Sequence, residues 1–151
     1  MRWLAIVGLP AVLAAGLTAA DLTGTWIGTL PERGRTPARD IAFQFVQRGA
    51  ALSGRAYNDA GTSDPIISGT VSEGRVEFEV EALQQSGNQI NIVLYRFEGT
   101  IDGEWIDLTR ELVAARDASS GNDIPVRRAW DSDEADRNRR FHTFRLQALF
   151  R

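Results

Sequence analysis

The chain has 151 residues, a formal net charge of −3, one histidine and no cysteine. Without cysteine there is no disulfide framework, and a lone His142 argues against a zinc or transition-metal centre. All 17 basic residues are arginine, and no basic block falls on a predicted strand, so nucleic acid is not an expected partner.

Residues 1–20 read as a cleaved secretory signal. Arg2 supplies a basic start, Leu4 to Leu17 is apolar, and Thr18-Ala19-Ala20 places small residues before Asp21. The apolar run, broken by Pro10, is too short for a comfortable membrane span of about 20 residues. The expectation is an exported protein, periplasmic or extracellular, with no stable membrane insertion after cleavage. Residues 21–151 are enough for a single domain with a single core.

Period-2 alternation dominates from there on, and helical periodicity is almost absent. The first predicted strand is Thr23–Leu30, followed by a polar loop from Pro31 to Asp40. The second is Ile41–Arg48, with Ile41, Phe43 and Phe45 on one face. Gly49-Ala50 turns it into a third, Ala51–Tyr57. Asn58 to Pro65 is dense in turn formers and reads as a loop. The fourth strand is Ile66–Val71. The fifth, Arg75–Ala82, points Val76, Phe78 and Val80 inward and Glu77, Glu79 and Glu81 to water, as in a sheet with one wet face. Gln84 to Asn88 reads as a loop. The sixth strand is Gln89–Ile101, with a bend at Gly99, and Asp102-Gly103 signals a hairpin into the seventh, Glu104–Leu112. Residues 113–138 read as a long polar loop carrying Trp130, a lid or a partner-binding arm, and alternation returns at Arg139–Phe150. Eight strands joined mostly by short turns predict an all-β fold: an eight-stranded antiparallel up-and-down barrel closed on itself.

An internal echo supplies a register. Gly69-Thr70-Val71 precedes Gly74 as Gly99-Thr100-Ile101 precedes Gly103, and in that alignment Val80 matches Arg110. Arg110 is therefore expected to face inward, where a charge needs a partner.

Gly24-Thr25-Trp26 resembles the Gly-x-Trp that opens the first strand of lipocalin-like, calycin-type barrels. Leu52-Ser53-Gly54, Ile67-Ser68-Gly69, Gly99-Thr100-Ile101-Asp102-Gly103 and Leu108-Thr109-Arg110 extend the resemblance to short exported bacterial domains of that type. The resemblance implies that Trp26 closes one end of the barrel and that an arginine from the last strands packs across it. Arg110 and Arg145 are the candidates, with Arg110 preferred on register. The sequence departs from true lipocalins in lacking a Cys pair, in lacking a helix after the last strand and in carrying the 113–138 insertion.

The leading expectation is a binding protein for a small apolar or amphipathic ligand held in the barrel. The expected ligand-binding residues are Trp26, Phe43, Phe45, Phe78, Ile92 and Leu94, with Arg110 as polar anchor. Each aromatic also reads simply as core. No cofactor or metal is expected, and no catalytic motif is visible: there is no Gly-x-Ser-x-Gly, no His-Glu-x-x-His and no phosphate loop. The alternative is a protein-interaction barrel with a filled interior. It resembles the periplasmic inhibitors of secreted metalloproteases, whose N-terminal segment would here be Asp21-Leu22. An isomerase- or cyclase-type barrel enzyme is a third reading. It requires an inward titratable residue beyond Arg110.

Overall fold

The computed structural model describes residues 21–32, 35, 37–58, 61–126 and 141–150, with the side chains of Ser86, Phe141, His142 and Phe150 left out. The signal-like stretch 1–20, and residues 127–140 with Trp130, lie outside the described residues.

The described residues are all β. The strands are β1 (Gly24–Leu30), β2 (Arg39–Arg48), β3 (Ala51–Asn58), β4 (Ser63–Ser72), β5 (Arg75–Ser86), β6 (Gln89–Asp102), β7 (Trp105–Asp117), a short β8 (Asp123–Ile124) and β9 (Phe141–Phe150). Each strand from β1 to β7 pairs antiparallel with the next, and β9 lies between β7 and β1. β1 to β7 and β9 thus form a closed eight-stranded up-and-down barrel, with β8 hydrogen-bonded to the outer part of β7. Closure pairs every barrel strand on both sides, which removes the open edges a small sheet would otherwise present.

Alternation sets the two faces. Trp26, Phe43, Phe45, Val76, Phe78, Val80, Phe97, Ile106, Leu108, Phe144 and Leu146 all point into the barrel and form its core. Outside, Glu77, Glu79 and Glu81 meet arginines of β6 and, one strand further on, β7. Arg96 lies 3.3 Å from Glu79 and 4.0 Å from Glu77, and Arg116 lies 3.8 Å from Glu81. These exposed pairs contribute little individually and mark the wet face. Gly28 lets β9 come close to β1: a Cβ there would lie 2.6 Å from the Arg145 carbonyl oxygen and 2.8 Å from Leu146 Cδ2.

Several strands run further than their sequence patterns predict. β4 begins at Ser63, within the stretch of turn formers, because Asp64 and Pro65 pair with Ala56 and Arg55 of β3. β5 continues through Gln84 and Gln85 to Ser86, so the predicted five-residue loop shrinks to the turn Gly87-Asn88. β7 continues past Leu112 to Asp117, taking in the start of the predicted 113–138 loop. Val113 bulges where β6 and β7 shift register between Leu94 and Tyr95. Beyond β7 the chain turns on Asp117, whose Oδ1 accepts from the backbone N–H of Ser119 (2.7 Å) and Ser120 (3.1 Å).

Candidate functional site

The two ends of the barrel differ. At one end the connections are the tight turns Gly49-Ala50, Glu73-Gly74 and Gly103-Glu104. The chain before β1 folds across this end. The Leu22 N–H donates to Gln47 Oε1 at 2.9 Å, Leu22 is fully buried, and the Trp26 indole N–H donates to the Leu22 carbonyl at 2.8 Å. Trp26 and Leu22 therefore plug this end.

Above the plug the interior is solid. Phe43 stacks on Phe45 at 5.3 Å, Phe78 stacks on Phe97 at 4.7 Å, and edge-to-face contacts at 5.3–5.4 Å tie the two pairs together. Aromatic pairs at such separations add to burial. Trp26, Phe43, Phe45 and Phe78, four of the expected ligand-binding residues, are at most 2% exposed and fill the barrel with their own side chains. Ile92 and Leu94 do not join them. On β6 the residues that face in are Val93, Tyr95 and Phe97. Ile92 and Leu94 share the opposite face with Arg96 and Glu98.

The other end is an opening. A cavity of about 190 Å³ sits there, above the phenylalanine layer. Leu30, Ile41, Ala56, Val80, Val93 and Phe97 supply its apolar wall. Arg39, Asp40, Asn58, Asp64, Gln84, Tyr95 and Arg110 supply polar groups around it. Arg110 reaches the cavity from β7 on the inward face, and its guanidinium lies over the Tyr95 ring at 4.4 Å from the centroid. Such a stack contributes about 0.5–2 kcal/mol. The inward register of Arg110 is thus as the internal echo predicts, with Tyr95 as its stacking partner at the open end. Arg145, the other candidate for packing on Trp26, faces outward. Its guanidinium lies 5.3 Å from the Trp105 ring centroid and forks onto Asp107, with Nε at 2.7 Å and Nη2 at 3.1 Å from the two carboxylate oxygens.

Asp64 and Tyr95 are the mouth residues that sequence reasoning missed. Asp64 is brought inward by its pairing with buried Ala56. Burial pushes its carboxyl above the ordinary value, and the positive charge of Arg55 offsets part of that rise. Arg55 is itself held by Ser63, its Nε donating to Ser63 Oγ at 2.9 Å. The mouth therefore holds an inward titratable group besides Arg110, the feature an enzyme reading requires. It combines one stacked cation, one carboxyl with a raised proton affinity and an apolar floor. That set can orient a small molecule having one charged end and one apolar end. Among the described residues, no group of three or more His, Asp or Glu side chains is placed to hold a metal ion.

Fold and mouth together define a small closed β-barrel with a filled interior and a polar opening at one end. No family model matches the chain, and neither a curated protein nor a solved structure matches it.

Proposed function

We propose that this protein is an exported, lipocalin-like binding barrel that captures a small amphipathic molecule at its open end. The observation that carries the reading is Arg110: a guanidinium held over Tyr95 at the edge of an apolar-walled cavity. A ligand carboxylate would meet Arg110 through charge-assisted hydrogen bonds, and its apolar tail would lie against Val80, Val93 and Phe97. The cavity of about 190 Å³ is below the range of about 300–1,000 Å³ usual for drug-sized ligands. The ligand is therefore compact, or enters only by its tip. Export rests on the basic start, apolar run and small-residue site of residues 1–20.

Titration calorimetry with decanoate tests this directly. Wild type is expected to bind saturably, and Arg110→Gln to weaken binding by about tenfold or more, the worth of one charged hydrogen bond. If neither protein binds, or both bind equally, the mouth is not the site. If Arg110→Gln only lowers the melting temperature, the guanidinium serves the fold.

The interaction-barrel reading also has an observation in its favour. The interior below the mouth is filled, and the β5–β6 hairpin exposes Leu83 at 71% and Ile90 at 49%. A protein partner would use that hairpin. Leu83 also borders the mouth, whereas Ile90 does not, so Ile90→Asp separates the two: it weakens such an interaction and leaves decanoate binding intact.

A further inference from the structure

A groove of about 570 Å³, larger than the mouth cavity, lies on the outer wall. It follows a single row of paired, outward-facing residues across five strands. Tyr57 of β3 pairs with Ala42 of β2, Ala42 with Ile27 of β1, Ile27 with Gln147 of β9, and Gln147 with Trp105 of β7. The small Ala42 and the apolar Ile27 make a low floor, and Tyr57 and Trp105 stand as walls at the two ends. Asp40, Asn58, Gln147 and Arg145 supply planar polar groups along the rims.

Both walls are fixed before any ligand arrives. The Trp105 ring has Arg145 over it, and Asp107 holds that guanidinium through two hydrogen bonds. The Tyr57 hydroxyl donates to Gln44 Oε1 at 3.1 Å. Asp40 is positioned by Thr29, whose hydroxyl donates to Asp40 Oδ1 at 3.3 Å. Trp105 is nonetheless 41% exposed and Ile27 38% exposed, so apolar surface remains on offer.

We propose that this groove is a second binding site, for a neutral oligosaccharide. A pyranose ring presents a C–H face that stacks on an indole or phenol ring. Its edge presents adjacent hydroxyls that pair with the two-pronged Asp, Asn, Gln and Arg groups. The charges favour a neutral occupant. Arg145 is already neutralised by Asp107, and among the described residues Asp40 makes no ion pair, which is unfavourable to phosphate or carboxylate ligands. An extended peptide finds no strand edge here, because β1, β2, β7 and β9 are each paired on both sides. Four strand spacings of about 4.8 Å separate the walls, room for a short chain rather than one sugar. The groove meets the mouth at a shared rim of Asp40, Ile41, Tyr57 and Asn58, but Trp105, Ile27 and Gln147 line the groove alone and Arg110 the mouth alone, so variants at those residues tell the two assignments apart.

Amide and indole NMR shifts during titration with cellotriose, maltotriose and fully N-acetylated chitotriose, all neutral, test the proposal. At least one of the three is expected to give saturable shifts at the Trp105 indole and at Ile27, Ala42 and Gln147. Trp105→Ala should weaken that binding by about tenfold or more, as loss of an aromatic anchor does, and Trp105→Phe should keep most of it. Arg110→Gln should leave it unchanged. Ile27→Arg, a change at a half-exposed position, should block it without touching the core. The proposal is overturned if none of the three probes shifts the groove, or if shifts centre on the mouth. It is equally overturned if Trp105→Ala and Ile27→Arg, each folded by its spectrum, bind as wild type does.

Discussion

Asp64 shows how far one side chain's chemistry depends on where the fold puts it. Read along the chain it belongs to a run of turn formers, Asn58 to Pro65, and nothing in that run marks it as inward. Its face is decided by the partner strand, through Ala56. Burial then favours the protonated carboxyl in the native state, against an unfolded value of about 3.9. A carboxyl whose folded pKa is raised gives stability that is fully present below the unfolded pKa. That stability is lost as pH rises through the folded value. At neutral pH ionised Asp64 is therefore a liability, and Asp64→Asn should raise the melting temperature at pH 7 and leave it nearly unchanged at pH 3. Thermal melts at the two pH values decide it; an equal difference at both would mean that burial of the charge is not the cause. Arg110 was legible by contrast, because the register of one hairpin carried over to another. Its stacking partner was not legible, since Tyr95 sits on a different strand with no sequence mark of its own.

At the scale of elements, the strands were readable wherever charge alternated with apolar side chains and unreadable where it did not. β5 declares its phase through Glu77, Glu79 and Glu81. From Ile90 to Tyr95, β6 offers apolar residues on both parities, so Ile92 and Leu94 look as inward as Val93. The phase is set further on, by Arg96 and Glu98, which must face water and share their parity with Ile92 and Leu94. The polar end of β5 reads as a loop because polar residues on both faces carry no periodic signal; in the end of β7, Val113-Ala114-Ala115-Arg116-Asp117, the bulge at Val113 and the paired alanines break the alternation, so it reads with the polar stretch that follows. Cross-strand pairing holds them extended all the same, and Gln89 Nε2 donates to Asp117 Oδ2 at 2.9 Å to tie β6 to β7 there. Turns hold a separate reserve of stability. In the β4–β5 hairpin, Ser72 pairs with Arg75, and Glu73 and Gly74 between them have φ of 51° and 76°. That two-residue turn wants positive φ at both positions, which Glu tolerates poorly and Asn well. Glu73→Asn should stabilise the protein by about 1 kcal/mol, seen as a higher urea midpoint with an unchanged slope.

For the whole molecule, the decisive contact is the one between the two ends of the described chain. β9 fills the gap between β1 and β7, pairing Gly28 with Leu146 on one side and Ile106 with Leu146 on the other. Until it docks, β1 and β7 are open edges, and the inner residues beside them, Trp26, Ile106 and Leu108, lack one wall. The count of strands and their short turns made closure legible in the sequence; which strand closes the barrel followed from chain order alone. Because β1 and β9 are separated by nearly the whole domain, closure is a non-local event that must wait for the other strands, and such contacts slow folding. A chain lacking residues 141–150 should therefore lose its cooperative melting transition and associate through the two exposed edges. Size-exclusion chromatography and thermal melts read both effects. Adding a synthetic peptide of residues 139–151 should restore a monomer-sized complex and the near-ultraviolet signal of a buried Trp26. If the shortened chain instead stays monomeric and melts cooperatively, the seven-stranded remainder is stable with its edges open, and closure is not what holds the barrel together.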